Sequence, residues 1–491
     1  MKRLISILAV ILLTVAAVLS ALPISAVGVR EYDTPEGYNE HDYQKLLAFY
    51  ETADENGVKN GSKLSPDYDP ADPATWGGEP SFEDYVGLTW TDEPEKRLSS
   101  FGCEAGVFSV MYGALDLSGC TALTALWCGY NRIEVLNLSG CTALKTLSCS
   151  ENPLNDSLDL TGCTALSELS CSNCGLTELD LGALPGLTKL EMSSNYLESL
   201  DLTLCPSLEE VYLTYMLMKE LKVSGHPSLK TLVAEGLDLT ELDLSDCAAL
   251  ATLSCEGNGL TKLELSGCTG LRSLFCGYTG LTSLDVTQLP HLAYLDCYGD
   301  GLTELDLSNN PELVYLNIFS NNITGIDLSG CPLLENLNCD LNPLTSLDLS
   351  GCPLIPFDHI DSVGNGYIGL VKYDEGEGGY YAFAHQLQPL GFVGWYDEDG
   401  ALITMTDHLC AEEYPYADVT AVFLSDGIAG DSNGDGTVDA SDALNVMRCA
   451  MGITELASEA EQLCDVDGSG SIEASDALLI LRFVMGIADT L

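Results

Sequence analysis

The sequence predicts a mostly β chain: a solenoid of about twelve stacked 21-residue coils, then a small β domain, then a small α-helical module. Three observations carry this expectation. Apolar residues recur with a 21-residue period from Leu115 to Cys352. The period then stops, and short β-branched and aromatic runs separated by turn residues follow. Near the end, two segments rich in Asp, Ser and Gly repeat 34 residues apart, each leading into an apolar stretch of helical character. At 491 residues the chain is long enough for several domains.

The chain starts with Lys2 and Arg3, runs through apolar residues from Leu4 to Leu19, and reaches the small-residue exit "PISAVG". This order is that of a secretory signal peptide, residues 1–26, cut after Ala26. The apolar run is short of the ~20 residues that span a bilayer, and no later segment could span one. The mature chain is therefore expected to be secreted and extracellular, with no membrane contact after cleavage. Nineteen basic against seventy-four acidic residues give a formal net charge of -55, which repels phosphate backbones and excludes nucleic acid as a partner.

Residues 27–114 are acidic and turn-rich. Within them "YNEHDYQKLLAFYETADENG" reads as a short helix, whereas "SPDYDPADPATWGGEP" is too rich in proline for regular structure. "VGLTWTDEPEKRLSSFGCEAG" leads into the first coil and is expected to cap its open edge.

From Leu115, "LDLSGCTALTALWCGYNRIEV" returns as "LNLSGCTALKTLSCSENPLNDS" and continues in register over residues 115–356. Repeat starts fall at Leu115, Leu136, Leu158, Leu179, Leu200, Leu221, Leu242, Leu263, Leu284, Leu305, Ile326 and Leu347, with one extra residue between Asn155 and Ser157. A unit this short cannot bury its apolar side alone, so the coils must stack around one continuous core. The segments "LTALWCGYNRI" and "LATLSCEGNGL" resemble the LxxLxLxxNxL pattern of bacterial leucine-rich repeat proteins, with cysteine at the third apolar site. That resemblance implies the fold and leaves function open.

Twenty cysteines in a secreted chain would ordinarily suggest disulfides. Here Cys128, Cys149, Cys171, Cys255, Cys276, Cys297 and Cys339 share a column with Met192, Leu213, Ala234 and Ile318. A site that exchanges Cys for aliphatic residues is an interior packing position. A second column, Cys120, Cys141, Cys163, Cys205, Cys247, Cys268, Cys331 and Cys352, also holds Leu184, Leu289, His226 and Asn310. Buried free thiols are expected in both, with His226 tolerated at a coil edge. Asn131, Asn152, Asn195, Asn258, Asn321 and Asn342 form a third column, expected to satisfy backbone groups where the chain turns.

Side chains that alternate with the inward residues of each LxxLxC strand must point to the opposite, concave face. Trp127 with Tyr130, Tyr212 with Tyr215, and Phe275 with Tyr278 recur at one spacing, and Tyr294, Tyr298, Tyr315 and Phe319 add a cluster. Exposed rings suit stacking on sugars or anchoring a protein, so these ten residues form a candidate ligand face.

Residues 357–425 carry the short strands "YIGLVKY", "YYAFAHQL", "GFVGWYDEDGALI" and "VTAVFL". The third and fourth resemble the small β repeat of internalin-type bacterial surface proteins, which implies a spacer or adhesive module.

In the tail, "DSNGDGTVDASD" places oxygen-bearing residues at positions 1, 3, 5, 7, 9 and 12 of an EF-type calcium loop, with Gly436 at the bend. The ligands would be Asp431, Asn433, Asp435, Thr437 through its carbonyl, Asp439 and Asp442. "DVDGSGSIEASD" repeats the pattern with Asp465, Asp467, Ser469, Ser471, Glu473 and Asp476, so two Ca2+ ions are expected. "ASDALNVMRCAMGI" aligns with "ASDALLILRFVMGI", so each loop opens a helix that ends at Gly452 or Gly486. Position 12 is Asp, and no helix pattern precedes Asp431. This combination resembles a type I dockerin over residues 428–491, which implies attachment to a cohesin module of a scaffoldin. By the same resemblance, recognition falls on Ala440, Ser441 and Arg448 and on Ala474, Ser475 and Arg482, and the near-symmetry of the halves implies two binding orientations. Cys449 and Cys464 are expected to be unpaired.

The six histidines, His41, His226, His291, His359, His385 and His408, lie in unrelated contexts with no HExxH or similar spacing. The resulting expectation is a non-catalytic, monomeric, cellulosome-associated or cell-surface protein whose repeat face takes plant polysaccharide or a surface protein. The alternatives are an internalin-like adhesin held at the bacterial surface and, third, a polysaccharide-degrading enzyme.

Overall fold

A computed structural model describes residues 32–77, 86–104, 110–357, 359–363, 366–372, 380–386, 392–398, 401–404, 408–410, 418–423, 430, 432, 438–453, 456 and 464–485. The leader expected at residues 1–26 lies outside them. Among the described residues no helix is long and apolar enough to cross a membrane. The chain folds as two compact units, Met1–Leu166 and Ser167–Leu491.

In the first unit, helix α1 (Glu40–Glu51) starts at Asn39, whose side chain accepts the Asp42 N–H, and buries Tyr43, Leu46, Leu47 and Tyr50. That spacing of i, i+3, i+4 and i+7 is one face of a helix. Tyr43 and Tyr50 stack on Trp76 at 4.9 and 5.1 Å, and Trp76 is fully buried. This anchor explains why the proline-rich segment, expected to be irregular, carries a short 3-10 turn at Pro73–Thr75, with the Asp72 side chain accepting from Ala74 N–H. A second short helix, α2, spans Asn60–Leu64. Asp42, wholly buried, takes Arg97 Nε and Nη2 at 2.9 and 3.1 Å and the Leu98 N–H at 3.0 Å. This bidentate pair ties α1 to the strand Leu98–Cys103. That strand pairs antiparallel with Val86–Trp90 and parallel with Ala125–Trp127, which pairs with Thr146–Ser148. The hairpin therefore covers the open sheet edge with paired backbone, as an edge strand requires.

The second unit continues the pattern with parallel strands from Glu168–Ser170 to Asn336–Asn338, paired in a 21-residue register such as Leu253↔Leu274 and Leu316↔Leu337. The solenoid has about eleven turns of 21 residues, one fewer than the repeat starts suggest. The twelfth start, Leu347, lies in Ser346–Asp348, which pairs antiparallel with His359–Val363. Strand Gly366–Lys372 instead meets the last coil, with Cys339 N–H donating to the Leu370 carbonyl at 2.9 Å. Two small sheets follow, one of five strands built around Asp418–Phe423 and one of three built around Tyr380–Gln386.

Inward leucines such as Leu253, Leu274, Leu295 and Leu316 are fully buried, each contributing roughly 1.5–3 kcal/mol of transfer free energy. None of the twenty cysteines is in a disulfide, and nineteen are buried. The second cysteine column does more than fill space. Its thiols reach a carbonyl of the preceding coil, Cys205 to Leu181, Cys247 to Val223 and Cys268 to Leu244, at 3.1–3.2 Å. Asn310 Nδ2 does the same to Val286 at 3.0 Å, and His226 Nε2 lies 3.0 Å from the Cys205 carbonyl. His226 is only 2% exposed, so it sits inside the stack, where a ring nitrogen can serve a buried carbonyl, and not at a coil edge. Burial pushes the thiols of Cys163, Cys205, Cys331 and Cys352 up to about 11, which keeps them as inert thiols near neutral pH.

The asparagine column is a hydrogen-bond ladder. Asn195 Nδ2 donates to the carbonyls of Cys171 and Met192, 24 and 3 residues earlier, and its Oδ1 accepts from Cys174 and Leu176 N–H. Asp300 occupies this column without an amide. Its Oδ1 accepts from Thr279 and Gly280 N–H at 2.8 and 2.7 Å, whereas its buried Oδ2 has no donor. Burial raises the Asp300 pKa. A carboxyl with a raised folded pKa gives up stability as pH climbs from its unfolded toward its folded value. Asp300→Asn, which restores the amide, is expected to stabilise the protein by about 1–3 kcal/mol at pH 7 and by much less at pH 4. Urea melts at the two pH values check both the size and the sign.

Helices α3 (Ala440–Ala450) and α4 (Ala474–Val484) pack through Ala443, Val446, Cys464, Ala477 and Ile480. After α3, Gly452 at φ +67° lets its own N–H and that of Ile453 turn back onto the Cys449 and Arg448 carbonyls, the glycine stop expected from sequence.

Candidate functional site

The C-terminal site is made by a loop folded back onto the start of a helix. Asp476, at the third position of α4, is wholly buried. Its Oδ2 accepts the Glu473 N–H at 2.8 Å and its Oδ1 the Asp467 N–H at 3.1 Å, so one carboxylate clamps both ends of the loop. Asp465 takes the N–H groups of Ser469 and Gly470 at 3.0 and 2.8 Å across a bend where Gly470 has φ +80°, a conformation that a Cβ disfavours. Asp465, Asp467 and Asp476 each bring an oxygen to within 4.8 Å of the others. Burial, reinforced by the charges of Asp467 and Asp465, raises the Asp476 pKa. Three hard oxygen donors converging on a glycine turn fit a calcium ion. Ser469 Oγ donates to the Ser471 carbonyl at 3.0 Å and Ser471 Oγ to Glu473 at 3.1 Å, so these three expected ligands are linked to one another beside the trio.

In the first loop, Asp431, Asn433, Asp435 and Thr437 lie outside the described residues. Its described end repeats the construction. Asp442 is wholly buried, with Oδ2 accepting Asp439 N–H at 2.8 Å and Oδ1 accepting Ser432 N–H and Oγ, both at 2.9 Å.

Ala440, Ser441 and Arg448 are exposed on α3, and Ala474, Ser475 and Arg482 are exposed on α4. The fold adds residues that sequence reading missed. Leu444 and Leu478 are each 54% exposed, and Met451 and Met485 are 58% and 54% exposed. Leu444, Arg448 and Met451 stand at i, i+4 and i+7, as do Leu478, Arg482 and Met485, so each helix shows a stripe with an apolar residue on either side of an arginine. The matched "ASDAL" segments carried the signal, but an apolar residue reads as core until the packing is known.

In the second unit, Tyr212, Phe275, Tyr294 and Tyr315 project from the sheet face opposite the leucine core, as Trp127 does in the first unit. Tyr294 and Tyr315 stack at 6.3 Å, and Tyr278 meets Tyr298 edge-on at 4.7 Å. Phe319 is half-buried beside Ser320 in the next coil. Tyr212 and Tyr215 lie three coils from Phe275 and Tyr278, about 14 Å by strand spacing, so the structure does not gather all the rings. Tyr130, Tyr215 and Tyr278 share one column at φ +55°, +55° and +52° and are 58%, 75% and 60% exposed. Gly236, Gly257 and Gly299 fill the same column. A side chain there costs about 1–2 kcal/mol relative to glycine. A Cβ on Gly299 would meet the Tyr278 ring at 2.6 Å, and one on Gly277 the Tyr298 ring at 2.4 Å. The rings therefore lie against the bare backbone of an adjoining coil, with Tyr278 exposed and Tyr298 half-buried.

Each described histidine is occupied in a separate place. His41 and His226 meet backbone carbonyls, His291, His359 and His385 meet carboxylates, and His408 packs against Phe383 and Tyr381. His41, Asp42 and Cys120 bring ligand atoms within 4.8 Å, but Asp42 is already neutralised by Arg97.

Residues 429–485 match the type I dockerin domain. Type I dockerins are calcium-binding modules of extracellular cellulosome components, and their partner is a cohesin. No curated protein matches the chain in sequence. Among solved structures, the chain is similar to the functional domain of InlJ from Listeria monocytogenes, which includes a cysteine ladder (21% identity, 66% of this chain and 90% of that one, TM-score 0.33). It is also similar to the internalin InlF from Listeria monocytogenes (20%, 47% and 71%, TM-score 0.40) and to YopM from Yersinia enterocolitica (25%, 51% and 57%, TM-score 0.41).

Proposed function

We propose that this chain is a secreted, non-catalytic cellulosome component. It docks on a scaffoldin cohesin through a calcium-loaded module at residues 428–491 and presents the outward sheet face of its leucine-rich solenoid to a macromolecular ligand, polysaccharide or protein. The observation that carries the first half is the duplicated loop and helix, in which Asp476 and Asp442 each accept the N–H three residues before them, of Glu473 and Asp439, and a second N–H from the start of the loop, of Asp467 and Ser432. The second half rests on flat tyrosine rings held open at strained backbone positions, an expense the packing does not require.

The docking half is tested by calorimetry of the full-length protein against a type I cohesin in saturating calcium. With two equivalent stripes, changing Ser441 and Arg448 to alanine removes one of two orientations and weakens binding only about twofold. Changing Ser475 and Arg482 as well removes both and weakens it by about 100-fold or more. A large loss from one pair alone would show a single orientation, and no loss from the quadruple change would place recognition elsewhere.

A further inference from the structure

Building on the reading of the sheet face as a ligand surface, we propose that its occupant is a lysine- or arginine-rich segment of a partner protein, seated over Glu235, Glu256 and Asp296 and against the rings of Tyr278 and Tyr298. From Thr231 to Asn338, the outward strand positions and the residue following each strand's last inward site hold these three carboxylates and no lysine or arginine. Three of these six coils thus carry charge on this face, and all of it is negative.

The acids are set for an incoming cation. Glu235 is held by Ser254 Oγ at 2.6 Å. Glu256 is raised in pKa by burial first, and then by the charges of Asp296 and Glu235, while Tyr298 donates to it. Asp296 Oδ2 takes the Asn317 amide at 3.2 Å, and its Oδ1 is buried with no donor. Among the described residues, Asp340 further along is already answered by His385; these three have no basic partner. A positive group relieves their mutual repulsion, and the exposed Tyr278 ring adds cation–π attraction to the same group.

Other occupants fit less well. A second copy of this chain carries a net charge of -55 and is repelled. A neutral sugar gains from the rings but does nothing for the crowded carboxylates.

The test uses full-length, calcium-loaded protein and a fluorescein-labelled oligolysine decapeptide, read by anisotropy at physiological salt. Glu235→Gln/Glu256→Gln/Asp296→Asn is compared with Asp306→Asn/Asp327→Asn/Asp348→Asn, which removes the same charge from the exposed LDL column half a coil away. The expected result is a loss of about tenfold or more for the first triple and less than about twofold for the second, with Tyr278→Ser, whose ring is mostly exposed, weakening binding severalfold. Thermal melts of both triples confirm folding, and Tyr278→Ser carries the test if a triple fails to fold. Equal losses in the two triples would mean attraction by net charge alone and overturn the proposal. So would displacement of the peptide by cellohexaose or tight cellohexaose binding to the first triple, which would assign the face to sugar. Cohesin capture by all these variants stays intact, so failure here is distinguishable from failure of the docking reading.

Discussion

Chelating calcium from the full-length protein is expected to abolish cohesin binding and to unfold the segment around α3 and α4 while the solenoid keeps its cooperative melt. Asp465, Asp467 and Asp476 stand within 4.8 Å of one another and Asp476 is wholly buried. At that separation each like-charge pair costs roughly 3 kcal/mol at an effective dielectric constant near 20. Three such pairs oppose a helix pair whose buried core is Ala443, Val446, Cys464, Ala477 and Ile480, and a core so small supplies only about 3–5 kcal/mol. The repulsion is the larger quantity, so the fold depends on a cation, and binding free energy becomes folding free energy. The expected readouts are loss of helical circular dichroism, restored by calcium and not by sodium, and a Kd for cohesin raised by about 1,000-fold or more, equivalent to about 4 kcal/mol. Asp476→Ala is expected to do the same in the presence of calcium, because it removes the carboxylate that holds both Asp467 and Glu473. A helical signal indifferent to chelator, together with no heat on calcium addition, would contradict this account.

The helix pair and the coils were readable from sequence for the same physical reason. Both are duplications, and a period exposes which positions face inward even when each single copy is ambiguous. Leu126, Leu147 and their equivalents, the loop carboxylates of Asp465, Asp467 and Asp476, and the glycine stop at Gly452 were all legible in this way. What the period hides is the direction in which a polar atom points. Cys247, Asn310 and His226 look like unrelated substitutions in a column of core residues, yet each brings a polar atom to a carbonyl of the preceding coil, a contact between residues more than twenty positions apart. The close of the solenoid by strand Gly366–Lys372 is likewise a long-range pairing with no local signature. The exposed Leu444 and Leu478 were hidden by the opposite error, since an apolar residue in a helical pattern defaults to the core. Alternation puts Trp127, Tyr212, Phe275, Tyr294, Tyr298, Tyr315 and Phe319 opposite the inward residues, but Tyr130, Tyr215 and Tyr278 fall in the inward register and are turned outward by the left-handed backbone of the turn that each coil makes.

Asn195→Ala is expected to destabilise the solenoid by about 3–5 kcal/mol, a large effect for one neutral side chain. Asn195 is 2% exposed and makes bonds to five backbone groups, the carbonyls of Cys171, Met192 and, at 3.4 Å, Ser193, and the N–H groups of Cys174 and Leu176. Alanine leaves those groups in a water-poor turn, at about 1–3 kcal/mol for each that finds no substitute. Partial relaxation and entry of water bring the sum below its additive maximum. The bond to Cys171 crosses from one coil to the next, so the loss falls on the coupling between neighbours. In a quasi-one-dimensional stack stability is the sum of coil terms and nearest-neighbour terms. Weakening one interface therefore broadens or splits the unfolding transition as well as shifting it. Calorimetric melts of Asn195→Ala should show a lower midpoint and a wider or divided peak. Asn195→Asp should fall in the same range, because it keeps the acceptor and loses the donor, as Asp300 does naturally in its own coil. If the alanine variant melts within about 1 kcal/mol of the parent and with the same width, the ladder of amides is ornament on a stack held by leucine burial alone.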